Sequence, residues 1–473
     1  WPAPWDFGHS QQLISTASRT AGRFLDGLRH RRARPVPGRQ PFGDTPGAGR
    51  DVDFVFRFFR TGGRPVSTVA FLNIGMHGHV NPTLPVVAEL VRRGHTVTYH
   101  TSPAFRAEIE ATGATVRLYP GGEQPLPDPP TPVTLLESLA SSTVRLLPAV
   151  LDDLRRDRPD LIVHDSSCLW GAVAARELGV PAASSFTTFA FGRHVPSPTR
   201  AWWDLLAGAW AQPRGVRGYV RARRDLHRRF DARGLPLVDL LNIRQPLNLV
   251  YTSRAFQPAV EEFDESYRFV GPSIGARPAD PSFEADRLHD PVLYASLGTV
   301  FGAGPKLLRT FAGALAPLGG TVIVATGQTD PDALGPLPAN VLPLRFVPQL
   351  EVLARAALFV THGGMNSVNE AMYAGVPMLV VPQGADQPMT AARVVELGAG
   401  LSLGTEDVTK GSVRALARRL LHEPGFRTAA ATLKAAQHEA GGYRRAADEL
   451  EQYVRAAGPV PPTVAAVDPP QRG

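Results

Sequence analysis

One cysteine, Cys168, stands in 473 residues. That excludes an internal disulfide framework and any cysteine-built zinc site, and it suits a reducing compartment, so a cytoplasmic location is expected. No run reaches the ~18 consecutive apolar residues of a membrane span. Residues 1–66 also lack the ~7–15-residue apolar core of a secretory leader. The first βα loop reads Gly75-Met-His-Gly78-His-Val, without the G-x-G-x-x-G of a nicotinamide enzyme. The net charge is +7, but residues 1–66 alone hold 11 Arg against 5 Asp and no Glu. The remainder is near neutral and shows no basic stripe interleaved with aromatics, so nucleic acid is not an expected partner.

At 43% hydrophobic and 20% charged, what is present is ordinary globular material. It is too long for one core, since single cores stop growing near ~250–300 residues. Residues 1–66, rich in Arg, Pro and Gly, read as a disordered extension. Opening on Trp1 rather than Met, the extension reads as an addition to the working protein; a basic arm contacting a membrane or a partner is the alternative. From Thr68 the chain alternates. Strands are expected at 68–74, 95–101, near 114–119, at 161–164, 181–186 and 247–252, with helices between them, two of them at 133–156. A second alternation starts at Val292, with strands at 292–296, 321–326, 358–361 and 378–381. Helices near 411–422, 425–438 and 442–456 close the chain. Such repetition predicts two doubly wound α/β units with a cleft between them. The divisions expected are a first unit at 67–272, a linker at 273–290, a second unit at 291–440, a helix at 441–458 packing back on the first unit, and a disordered tail at 459–473.

The most informative stretch runs from Phe346 to Gln387. An apolar strand enters His362-Gly363-Gly364, and a helical pattern follows. A helix start has N–H groups without intrahelical partners and a partial positive charge, and glycines let a phosphate approach the backbone. Asn366 and Ser367 are placed to cap that helix or to reach phosphate oxygens. Glu370, one turn on, suits a sugar diol. Asp386-Gln387 follows the next strand, at the sheet edge where ligands bind.

The spacing Gln349…His362-Gly-Gly-Met-Asn366-Ser367-x-x-Glu370…Asp386-Gln387 resembles the nucleotide-sugar signature of family 1 glycosyltransferases, most of all their bacterial macrolide branch. The likeness extends from about Val69 to about Gln452. It implies an α/β chain of GT-B fold and an inverting O-glycosyltransferase moving a hexose, glucose above others, from a UDP-sugar or dTDP-sugar to a hydroxyl of a small apolar macrolide, polyketide or flavonoid. No metal or other cofactor is implied. By the same resemblance His79 is the general base and Asp165 its partner. Thr299 and the helix start with His362, Gly363, Gly364, Asn366 and Ser367 contact the diphosphate. Phe346, where many relatives carry Trp, stacks on the base beside Val347. Gln349 meets the nucleoside, Glu370 the ribose, and Asp386 and Gln387 the donor sugar.

The residues themselves agree in part. Imidazole titrates near neutrality, with a reference pKa of ~6.5, so His79 can accept a proton. His77 and His164 read as structural histidines. The cluster Phe186, Phe189 and Trp202 is a candidate acceptor wall, with core packing as its alternative. Metal-holding Asp-x-Asp pairs occur at Asp51-Val-Asp53 and Asp330-Pro-Asp332, and both read as solvated turns. A nucleotide-sugar epimerase on the same fold, or a non-catalytic auxiliary partner of another transferase, are the competing functions. A monomer or weak homodimer is expected.

Overall fold

β-Strand and helix patterning resolves into two parallel sheets in a computed structural model that describes residues 66–121, 131–195, 197, 210–275, 283–298 and 304–458. The expectations for residues 1–65, the tail at 459–473, Thr299 and Trp202 lie outside the described residues. The first sheet has seven strands in the order β3-β2-β1-β4-β5-β6-β7. They are β1 Thr68–Leu72, β2 Thr96–Thr101, β3 Thr115–Leu118, β4 Leu161–Asp165, β5 Ala182–Phe186, β6 Leu247–Val250 and β7 Tyr267–Phe269. The second has six, ordered β10-β9-β8-β11-β12-β13. These are β8 Val292–Ser296, β9 Thr321–Ala325, β10 Val341–Leu344, β11 Ala356–Thr361, β12 Met378–Val380 and β13 Gly400–Ser402. Both sheets belong to one compact unit. This is the facing two-domain α/β architecture that the alternation predicts.

Parallel strands must cover both faces, so their side chains alternate between two apolar layers. In β1, Ala70 and Leu72 enter the layer built with the helix Pro132–Asp157, while Val69 and Phe71 enter the opposite one. The second sheet divides in the same way, with Tyr294 and Phe359 in one layer and Leu293 and Val360 in the other.

Three differences from the sequence reading share one cause. Strands β7, β10 and β13 were not expected, and all three lie at a sheet edge. All three are only three or four residues long, too short to show a pattern, and β10 and β13 are partly exposed as well; β10 even contains Pro343, which an edge tolerates. The two stretches expected at 133–156 form one helix, Pro132–Asp157, with Pro148 inside it and a capping box between Thr131 and Thr134 at its start. Among the described residues this helix alone is long and apolar enough to cross a membrane. Its Leu136, Leu147, Val150, Leu151 and Leu154 are buried in the first domain's core.

Two further contacts tie the domains together. The helix Gly442–Ala457 packs on the first domain, burying Ala446, Ala447 and Leu450 with Val69, Phe71 and Leu90. Arg93 Nη1 meets Asp448 at 2.6 Å, and His95 Nε2–H donates to Glu451 at 3.0 Å. Asn369 forms a second tie. Its amide donates to the Tyr251 carbonyl at 2.9 Å, and its oxygen accepts from Thr252 Oγ1 at 2.9 Å. Asn369 is buried, so Asn369→Leu strands the Tyr251 carbonyl and the Thr252 hydroxyl of the first domain. The expected loss is about 2–3 kcal/mol, read as a lowered urea midpoint. An unchanged midpoint contradicts the tie.

Candidate active site

Strands β1 and β4 are hydrogen-bonded neighbours, with Leu72 opposite His164. The strand order reverses between them, and in open α/β sheets that crevice is where ligands bind. The short helix His77–Val80, in the loop after β1, sets His79 above the end of β4. His79 Nδ1 lies 2.7 Å from Asp165 Oδ2. A carboxylate only accepts, so the hydrogen is on Nδ1 and Nε2 keeps its lone pair. Asp165 is fully buried, and its Oδ1 accepts from the Ser167 amide at 2.7 Å. The loop is pinned from below, where the Asn73 amide donates to the His79 carbonyl and to Tyr99 Oη, both at 2.9 Å.

Burial opposes charging the His79 ring, but the charge and hydrogen bond of Asp165 outweigh it, with help from Asp386. The imidazole is held above its ordinary value. Burial in turn raises the Asp386 carboxyl, and His79 opposes that rise. Each group feels the other, which sets Asp386, at the end of the loop after β12, opposite His79 of the first domain. His164 is a structural histidine: its Nδ1–H donates to the Asp165 carbonyl at 2.8 Å and its Nε2 accepts from Gln245 at 2.8 Å. His77 packs edge-on against Phe105.

In the second domain β11 delivers His362-Gly363-Gly364 to the helix Met365–Ala374. Gly363 has φ +90°, and a Cβ there would come within 2.7 Å of Val380 Cγ1. The His362 ring lies between two glycines. A Cβ on Gly298 would approach its Cε1 to 2.7 Å, and one on Gly364 its Nε2 to 2.5 Å. Burial lowers His362 to about 4, so the ring is neutral near pH 7 and brings a dipole rather than a charge. Positive potential at this turn therefore comes from the helix start, where Gly364 is the N-cap and no side chain caps.

Asn366 and Ser367 do not cap it, contrary to one expectation. The Asn366 amide reaches across the cleft to the Gly78 carbonyl at 3.3 Å, and Ser367 Oγ faces Gln349 Nε2 at 3.4 Å. The reason is the glycine N-cap, which leaves both side chains beyond it on the helix. Gln349 donates to Glu370 at 2.6 Å and accepts from Tyr294 Oη at 3.0 Å, so nucleoside and ribose candidates form one cluster. Phe346 is 71% exposed, an open ring face, and Val347 packs on the domain core beneath it. Gln387 is buried, its oxygen accepting from the Gln383 and Gly384 amides at 2.7 and 3.3 Å. It braces its own loop.

The acceptor wall needs correction. Phe186 and Phe189 are 0% and 1% exposed; Phe186 packs on Tyr267 and Phe189 on Phe256. Both rings are core, because β5 and the turn after it lie beneath neighbouring elements. Asp330 accepts from the Asp332 amide and caps a short turn, as read. Among the described residues no three His, Cys, Asp or Glu side chains converge as metal ligands. Sequence reasoning missed Asn73, Thr187 and Gly298. Only Gly298, within Ser296-Leu-Gly-Thr299, carried a visible signal.

Residues 309–453 match the family described as Erythromycin biosynthesis protein CIII-like, C-terminal domain. The NDP-glycosyltransferase YjiC of Bacillus subtilis (strain 168) is 33% identical over 82% of this chain and 97% of its own length. The oleandomycin glycosyltransferase of Streptomyces antibioticus is 33% identical over 81% of this chain and 90% of its own. Among solved structures, the glycotransferase of kitacinnamycin superposes with a TM-score of 0.74 at 30% identity, over 82% of this chain and 99% of that one.

The balance at His79 is testable without any substrate. Asp165→Asn removes the charge and leaves burial unopposed, so the His79 titration followed by NMR of labelled histidine moves to lower pH. A midpoint that stays in place contradicts the assignment of Asp165 as the group that raises it.

Proposed function

The chain belongs to the family 1 glycosyltransferases of GT-B fold, in their bacterial macrolide-type branch, and from that premise we propose an inverting transfer of a hexose from a nucleotide diphosphate sugar to a hydroxyl of an apolar natural product. The observation that carries this reading is the contact of Asn366 with Gly78, which brings the diphosphate-binding turn of one domain against the residue preceding His79 of the other. A proton acceptor and an anion cradle are then contributed to one site, one from each domain.

In this reading His79 Nε2 takes the acceptor's hydroxyl proton as its oxygen attacks the anomeric carbon. Asp165 holds the ring's tautomer and stabilises the imidazolium. The bond to the diphosphate breaks on the opposite face, and its charge is received by the helix start at Gly364–Ser367. Preorganised donors of this kind are worth about 2.7–4 kcal/mol each in studied enzymes. We assign the charge stabilisation to these groups rather than to a metal. The nucleobase stacks on Phe346, the ribose diol binds the Gln349–Glu370 pair, and Asp386 reads the sugar's hydroxyls. UDP-glucose is the proposed donor, with dTDP-sugars as the competitor. The relative named for oleandomycin supports an antibiotic-like acceptor. A monomer or weak homodimer working in the cytoplasm completes the proposal.

A matrix of nucleotide sugars against hydroxylated macrolides, polyketides and flavonoids, read by mass spectrometry, tests the reaction. An α-linked donor gives a β-glycoside, and donor conversion without acceptor would point instead to an epimerase. His79→Ala lowers kcat by at least about 100-fold while donor binding is preserved; turnover within about threefold of wild type removes the base assignment. Because His79 must be neutral to act and is held above its ordinary value, the acid limb of kcat/KM lies above ~6.5, and activity falls as pH drops through it. Phe346→Ala weakens donor binding about tenfold by calorimetry, the loss of one aromatic stack; unchanged affinity places the base elsewhere.

A further inference from the structure

His79 Nδ1 has a second neighbour. Thr187 Oγ1 lies 3.1 Å from it, just past the end of β5, whereas Asp165 ends β4. Thr187 follows β5, which pairs with β4 so that Asp165 stands opposite Ser185. It is 4% exposed, and His79 is its one side-chain hydrogen-bond partner among the described residues. The next residue, Thr188, turns to the Phe189 carbonyl instead. A buried hydroxyl aimed at one ring nitrogen is not required by the fold, because a valine would fill the same volume.

We propose that Thr187 is a positioning residue for the proton acceptor, its hydroxyl oxygen sharing the Nδ1–H with Asp165. This rests on the reading of His79 as the base. One acceptor lets an imidazole pivot about a single N–H···O axis, whereas two acceptors at the ends of adjacent strands hold the ring plane and so the direction of Nε2. The effect extends to basicity. Nδ1–H is present in both the neutral ring and the imidazolium, but it is the stronger donor when charged. A second acceptor therefore favours the charged form, in the same direction as the carboxylate. The charged groups acting on this ring are Asp165, from β4, and Asp386, from across the cleft. Thr187 is neutral, so replacing it leaves both in place. Threonine also suits the task because branching at Cβ restricts the hydroxyl to few rotamers.

Thr187→Val keeps the shape and removes the hydroxyl, while Thr187→Ser keeps the hydroxyl and removes a methyl. The expected result for valine is a loss of about tenfold in kcat, the range for a group that orients another, with KM for both substrates near wild type. The acid limb of its pH profile, and the His79 titration followed by NMR, both move to lower pH. Serine restores both. A valine variant whose His79 titrates as in wild type overturns the proposal, and so does a serine variant that fails as valine does, since packing would then be the whole role. The NMR titration needs no turnover, so it judges Thr187 even if His79→Ala stays active, a result that would sink the base assignment alone.

Discussion

The hydrogen bond from His79 Nδ1 to Asp165, 2.7 Å long, is the interaction that holds the His79 ring above its ordinary pKa, and the proposed chemistry of the first domain depends on it. Burial on its own would make this imidazole a poor base, as it does at His164 and His100, both lowered by desolvation. At position 79 a fully buried carboxylate reverses that outcome. The reversal requires two strands to end side by side at the point where the sheet changes direction, and β1 and β4 are the pair that do. The fold thus assembles this pair by topology, from residues 86 apart in sequence.

The second domain solves a complementary problem with backbone. Its histidine is kept neutral, and glycines stand where any side chain would displace that ring or collide with Val380. What remains at the turn is an uncapped helix start, a source of positive potential that needs no titratable group and so does not vary with pH. In the proposed reaction this is a division of labour: proton chemistry on one side and charge reception on the other. The Asn369 tie, the helix Gly442–Ala457 and the Asn366–Gly78 contact hold the two halves together.

How much of this the chain discloses before folding depends on whether a feature is local. The central βα units are legible because a buried parallel strand is a near-continuous apolar run. The turn at His362–Ser367 is legible because its glycines and polar residues are contiguous. Edge strands are not, since segments this short resemble loops; β13 is three residues beginning with glycine. Phe186 and Phe189 show the other limit: an aromatic residue reads the same whether it lines a pocket or fills a core, and only their neighbours Tyr267 and Phe256 decide it. Thr187, 108 positions from His79, is invisible for the same reason. Its contact exists only once β5 lies beside β4.

The central claim is geometric, and a crystal structure with a non-transferable sugar nucleotide tests it most directly. The account predicts the diphosphate over the amides that open the helix Met365–Ala374, with the anomeric carbon between it and His79 Nε2. A diphosphate seated away from Gly363–Gly364, or a sugar presented to a face of the cleft that His79 does not reach, would contradict it.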